Sequence, residues 1–133
     1  MNKKVLVVED DPFLTKMYVV GLKHEGFFVA HAYDGEEGLE RAEHETPDII
    51  LLDLMLPKMS GFEVLAALKK NPVTQRIPVL ILSNLSQESD KKKATELGAE
   101  GFLEKNKFTV SQIAQLVGER LRVGQEEKEA VSV

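Results

Sequence analysis

The chain has 133 residues, 43% hydrophobic and 29% charged, which suits one globular domain and excludes both a disordered chain and a collagen-like repeat. Its 17 Lys and Arg against 22 Asp and Glu leave a net charge of −5, a sign that opposes general attraction to phosphate backbones, so direct nucleic-acid binding is not expected. Without cysteine there is no disulfide, thiolate zinc site or thiol nucleophile; no apolar run nears the roughly 18 residues of a membrane helix, so a cytoplasmic protein away from membranes is expected.

The first predicted element is Val5-Leu6-Val7-Val8, a purely aliphatic run that suits a strand buried on both faces of a parallel sheet. Asp11-Pro12 then offers a helix cap and a proline at the first helical position. Leu14, Tyr18, Gly21 and Leu22 follow on one face as far as Gly26. Phe27 to Ala32 is interrupted by polar and small residues, as an edge strand is. Asp34-Gly35-Glu36-Glu37 opens a second helix with acids in its first turn, ended by Pro47. Ile49-Ile50-Leu51-Leu52 is a second buried strand. Ser60-Gly61-Phe62-Glu63 matches a capping box for a third helix, which Leu65 and Leu68 continue and Asn71-Pro72 stops.

Val79-Leu80-Ile81-Leu82 is the third aliphatic run. Ser86 to Leu97 predicts a weak helix, since only Ala94 and Leu97 supply apolar area and Lys91-Lys92-Lys93 is a solvated charge run; it should pack lightly and move easily. Gly101 to Glu104 is a second edge strand, and Val110, Ile113, Ala114, Val117 and Leu121 give the last helix its apolar face. After Gly124 the pattern loses periodicity. Residues 1–123 are therefore expected to form the domain, with 124–133 a disordered tail or linker remnant.

Five alternations of strand and helix predict an α/β fold, a doubly wound five-stranded parallel sheet in the flavodoxin-like order 2-1-3-4-5. Ligands of such sheets bind beyond the carboxyl ends of the strands, where the order reverses between strands one and three. The residues that follow the strands are Glu9-Asp10-Asp11, Asp53, Ser83-Asn84 and Glu104-Lys105. Taken singly, most have ordinary explanations: Asp11 as a helix cap, Ser83 as a turn hydroxyl, Lys105 as a surface charge. His24, His31 and His44 match no metal-ligand spacing. Asp53 is different, because aliphatic residues on both sides imply burial, and a buried acid needs compensation.

Glu9, Asp10 and Asp53 at one rim would repel one another unless a cation neutralised them. All-oxygen ligation by few protein groups suits Mg²⁺. Carboxylates, Mg²⁺, a hydroxyl and a lysine make a set that handles a phosphoryl group, with Asp53 the best-placed nucleophile for an acyl phosphate. Neither a G-x-x-x-x-G-K-[ST] nor a G-x-G-x-x-G segment is present, so a nucleotide site of those types is excluded.

Together, Val-Leu-Val-Val-Glu9-Asp10-Asp11, Leu-Leu-Asp53-Leu-Met-Leu-Pro57-x-Met-Ser-Gly61, Pro78-Val-Leu-Ile-Leu-Ser83 and Gly98-Ala-x-Gly-Phe102-x-x-Lys105 resemble the response-regulator receiver family over residues 3 to 122. The resemblance implies that Asp53 is the phosphoacceptor, and that Asp10, Asp53 and the Met55 carbonyl ligate Mg²⁺, with Glu9 acting partly through water. It further implies that Lys105 pairs with the acceptor or its phosphate, that the Ser83 hydroxyl swings to a phosphoryl oxygen, and that Phe102 is the switch aromatic. By the same resemblance the phosphate comes from a histidine kinase, a histidine phosphotransfer protein or a small phosphodonor, and is hydrolysed by the domain itself, which is otherwise no enzyme. The face of the fourth helix, fifth strand and fifth helix would change, engaging a downstream target or effector domain, and a dimer through that face is open.

Two positions depart from the family pattern. Asn84 stands where a small residue is usual, and Asn106 replaces the common proline after the lysine. Crowding by Asn84, with apolar Met55 and Leu85 unable to orient water, predicts slow loss of phosphate. Two other readings compete: a phosphorylation-independent interaction module, and a Mg²⁺-dependent aspartyl phosphohydrolase, against which stands the absence of a second acid two residues after Asp53. With no effector domain following, the chain is expected to be either a stand-alone regulator or a piece of a longer one.

Overall fold

The computed structural model describes residues 3–85 and 87–131. The elements run β1 Lys4–Val8, α1 Pro12–His24, β2 Phe28–Ala32, α2 Gly35–Glu45, β3 Ile49–Leu52, α3 Gly61–Lys70, β4 Val79–Ser83, α4 Glu88–Glu96, β5 Gly101–Glu104 and α5 Val110–Val131, with a 3-10 turn at Lys105–Lys107. The strands form one sheet in the order β2-β1-β3-β4-β5, every pair parallel, as the alternation of strand and helix predicts.

Successive strand residues point to opposite faces, which is why the central strands need aliphatic side chains at every position. Leu6, Val8, Ile50, Leu52 and Ile81 enter one core with Ala42 of α2, Val64, Leu65 and Leu68 of α3, and Ala94 of α4. Val5, Val7, Ile49, Leu51, Leu80 and Leu82 enter the other with Tyr18 and Leu22 of α1, and Ile113, Ala114 and Val117 of α5. The interrupted strands β2 and β5 lie at the edges, where one side of the ladder has no neighbour.

The helix starts follow the local chemistry. Asp11 Oδ1 accepts from the N–H groups of Phe13 (2.9 Å) and Leu14 (3.3 Å), so the ordinary explanation of Asp11 holds. Asp34 Oδ1 accepts from Glu37 N–H at 2.8 Å and Ser60 Oγ from Glu63 N–H at 3.2 Å. Ahead of Pro47, α2 ends on Thr46 in the left-handed region at φ 41°. In α4, Ala94 is the one residue buried among those described, in keeping with a lightly packed helix; the expected start at Ser86 lies outside the described residues.

The largest difference from expectation is at the C-terminal end. The backbone of 124–131 continues α5 instead of leaving it, whereas Ser132 and Val133 lie outside the described residues. An apolar stripe is needed to hold a helix against a core, but extending an existing helix avoids the nucleation penalty, and Gln, Glu, Lys and Ala propagate it well. Loss of periodicity therefore did not mark the end of the helix.

The N-terminus of α3 is set against the chain leaving β3. A Cβ on Gly61 would fall 2.2 Å from the Asp53 carbonyl oxygen and 2.5 Å from Leu54 Cα, both rigid backbone atoms. Gly61→Ala is expected to destabilise the protein by about 1–3 kcal/mol in urea unfolding. Gly118→Ala, whose Cβ would meet Phe27 at an ordinary 3.7 Å within α5, should instead be neutral or stabilising by up to about 1 kcal/mol.

Candidate functional site

The register of the sheet brings the acids together. Val8 pairs with Leu52, so the next residues, Glu9 and Asp53, emerge side by side; Asp53 N–H donates to Val8 O and Glu9 N–H to Ala32 O, each at 3.0 Å. Glu9 (3% exposed) and Asp53 (6%) are buried, while Asp10 is exposed. One carboxylate oxygen from each of Glu9, Asp10 and Asp53 lies within 4.8 Å of the others, the one such group among the described residues.

Lys105, the first residue after β5, reaches back across the sheet. Its Nζ lies 2.9 Å from Asp53 Oδ2 and also contacts Glu9 Oε1. Glu9 Oε2 accepts from Asp11 N–H at 3.1 Å, and Asp53 Oδ1 from Met55 N–H at 3.3 Å. Burial pulls the Lys105 pKa down, but its bonds to Glu9 and Asp53 outweigh this and hold it above the usual lysine value. For Glu9 burial is the largest influence and raises the pKa; Lys105 and the Asp11 N–H pull it down without cancelling the rise, to which Asp53 adds. The causes differ: burial dominates for Glu9, whereas the two carboxylates dominate for Lys105.

This donor set fits Mg²⁺. Ligands at about 2.1 Å stand about 3.0 Å apart when adjacent on an octahedron and about 4.2 Å when opposite, so side-chain rotations of about an ångström or two would bring the three acids to one ion. Three carboxylates against one ammonium leave a charge that a divalent cation balances.

The remaining expected residues surround this cluster unequally. Ser83 is fully buried at the end of β4, and its Oγ accepts from Leu85 N–H at 3.2 Å. Asn84, next along, is exposed, and the Met55 side chain is 63% exposed while its backbone stays beside Asp53. Phe102 is half-buried against the core beneath α3 and α4, with Lys91 Nζ 6.0 Å from its ring centre. The turn after Lys105 follows from Asn106: a residue preceding proline is driven out of the helical region, and asparagine lifts that restriction, so 105–107 close a 3-10 turn.

Three features escaped the sequence reading. Lys91, within a run of three lysines that reads as solvated surface, pairs with Glu104 Oε1 at 3.0 Å and ties α4 to β5. Thr15 is buried in α1 with its hydroxyl on the turn that carries the acids; a polar residue three and seven positions before Tyr18 and Leu22 was the available signal. Finally, α1 leaves Phe13, Met17 and Val20 exposed, starting two residues after Asp11.

Residues 5–117 match the family model described as the response regulator receiver domain. The chain belongs to the response-regulator receiver family. It is similar to the alkaline phosphatase synthesis transcriptional regulatory protein PhoP of Bacillus subtilis, 42% identical over 105 residues that make up 79% of this chain and 43% of that protein. It is also similar to the response regulator PleD of Caulobacter vibrioides, 39% identical over 79% of this chain and 23% of that one. The receiver thus spans less than half the length of either relative. Among solved structures, the chemotaxis protein CheY4 of Vibrio cholerae superposes with a TM-score of 0.83 at 28% identity, covering 90% of this chain and 98% of that one. A CheY-like receiver domain of Methanospirillum hungatei reaches 0.87 at 24% identity over 96% and 99%, which supports the fold. Receiver domains are phosphoacceptor signalling modules rather than classical enzymes, and no described helix of this one is long and apolar enough to cross a membrane.

The pair between α4 and β5 predicts a pH response. Hydrogen bonds from Lys91 and then Lys107 hold the Glu104 pKa below the ordinary glutamate value. A carboxylate with a lowered folded pKa contributes stability above its unfolded value and loses it as pH falls through the folded one. NMR titration of the Glu104 carboxyl should give a midpoint below the ordinary glutamate range, and Lys91→Met should raise it. An unshifted midpoint in the variant would remove Lys91 as the cause.

Proposed function

We propose that Asp53 is the phosphoacceptor of this receiver and that its phosphorylation is Mg²⁺-dependent. The observation that carries this reading is the Lys105 ammonium in contact with both Glu9 and Asp53 inside the only acidic metal-type cluster among the described residues. Glu9, Asp10, Asp53 and the Met55 carbonyl would hold the ion, with Glu9 acting partly through water. Bound Mg²⁺ supplies charge neutralisation for the phosphoryl oxygens.

The chain's own groups divide the work. Asp53 Oδ2 is occupied by Lys105, whereas Oδ1 carries only the 3.3 Å bond from Met55 N–H, so Oδ1 is the oxygen available for attack. An Oδ1–P bond forms as the bond from phosphorus to the donor's histidine nitrogen, or to the oxygen of a small phosphodonor, breaks; the leaving group keeps the electron pair and takes up a proton. Lys105 is positioned to follow the charge from the carboxylate to the phosphoryl group. Ser83 Oγ, now accepting from Leu85 N–H, has its own proton free to donate to a phosphoryl oxygen after rotation. Phosphate is later lost to water in the domain itself.

The donor is a histidine kinase or histidine phosphotransfer protein, and Phe13, an exposed apolar residue in the first turn of α1, stands two residues after Asp11 at the acid end of that helix. Output passes through α4, β5 and α5 to a downstream target or effector domain, with dimer formation through that face as one route. Movement of Ser83 and Phe102 bears on α4, a helix with a single buried residue among those described. A cytoplasmic location follows from this partnership.

Acetyl phosphate with Mg²⁺ should add the mass of one phosphoryl group at Asp53, located by peptide mass, and Asp53→Asn or removal of Mg²⁺ should abolish it. Modification elsewhere, or undiminished in Asp53→Asn, overturns the assignment. Because exposed Asn84 stands beside Ser83 at the rim, Asn84→Ala is expected to shorten the phosphorylated lifetime several-fold in a side-by-side decay measurement; an equal or longer lifetime refutes crowding by Asn84.

A further inference from the structure

The acids of the site are held in different ways. Glu9 is fixed by Lys105 and by Asp11 N–H, and Asp53 by Lys105 and by Met55 N–H. Among the described residues no hydrogen bond or ion pair reaches the Asp10 side chain, which is exposed. Its direction is therefore set by the peptide groups around it. The hydroxyl of Thr15, in the second turn of α1, meets two of these: Oγ1 is 3.1 Å from Glu9 O and 2.9 Å from Asp11 O. The intervening peptide is held by Asp11 N–H on Glu9 Oε2. All three peptide planes from Glu9 to Pro12 are thus held: the one hydroxyl proton of Thr15 is shared between Glu9 O and Asp11 O, and Asp11 O also accepts from Thr15 N–H at 2.9 Å.

A helical threonine commonly bonds the carbonyl four residues back, which accounts for Asp11 O. The contact with Glu9 O, six residues back and beyond the helix, is extra. Thr15 is only 1% exposed, and the bond to Glu9 O lies in the interior, where water cannot replace the hydroxyl. Resting on the reading of this rim as a Mg²⁺ site, we propose that Thr15 is a positioning residue that aims Asp10 at the metal and thereby sets the affinity of the site for Mg²⁺. The hydroxyl touches neither metal nor phosphoryl group; it acts through the backbone on either side of Asp10.

The test is calorimetric titration of the whole chain with MgCl₂, for wild type, Thr15→Val, Thr15→Ala and Thr15→Ser, with Asp10→Asn as the ligand-loss control and urea unfolding run in parallel. Removing a group that orients a metal ligand typically weakens affinity about 10- to 100-fold. Thr15→Val and Thr15→Ala should raise the Mg²⁺ dissociation constant by about tenfold at least. Thr15→Ser, which restores the hydroxyl, should return it to within about threefold of wild type, a rescue that a purely stabilising role in α1 would not produce. If a folded hydroxyl-free variant binds Mg²⁺ as tightly as wild type, or if Thr15→Ser binds as weakly as Thr15→Ala, the proposal for Thr15 fails while the Mg²⁺ site stands. If wild type takes up no Mg²⁺, the metal site fails and the role of Thr15 fails with it.

Discussion

Two carboxylates at the ends of adjacent buried strands, served by one lysine ammonium, are the constraint on which this receiver is built. Glu9 and Asp53 are in register because β1 and β3 pair directly, and neither can retreat to solvent because both cores close beneath them. Like charges placed so closely in the interior are unfavourable without compensation. Lys105 supplies part of it and leaves a deficit of positive charge. The site is consequently stable enough to form and unbalanced enough to accommodate a divalent cation.

The end of β5 places this constraint next to the most lightly packed helix of the fold. Glu104 and Lys105 are consecutive, and their side chains serve different neighbours: Glu104 holds Lys91 of α4, while Lys105 holds the acids. A change in the charge around Lys105 is therefore one peptide away from the ion pair that ties α4 to the sheet. With little apolar area of its own, α4 depends on such ties more than the other helices do. Charge-assisted contacts of this kind suit a switch, since a new dianionic group can compete for them where it could not displace a packed core.

At the other side of the rim, α1 does more than cross over the sheet. Its cap, Asp11, belongs to the same turn as Glu9 and Asp10, and its buried Thr15 bonds back to that turn. Stability of the helix start and geometry of the acids are therefore one problem. The same coupling recurs at α3, where Gly61 allows the helix to begin against the Asp53 peptide without collision.

The strands, their order and the polar residues at their ends were legible in the chain, because strands buried on both faces leave an unbroken aliphatic signal and crossover rules leave few topologies. That Glu9, Asp10, Asp53, Ser83 and Lys105 share one rim was legible there too. Tertiary structure alone decided the interactions between residues far apart in the chain. Nothing local marks Lys91 as the partner of Glu104, since a run of three lysines reads as solvated surface until β5 presents an acid to it. The helix periodicity that places Thr15 beside Tyr18 and Leu22 does not show that its hydroxyl reaches the Glu9 carbonyl, six residues back and outside the helix. The helical course of 124–131 escaped for the opposite reason: periodicity reports packing against a core, and that stretch extends a helix whose cost of initiation was met further back in the chain.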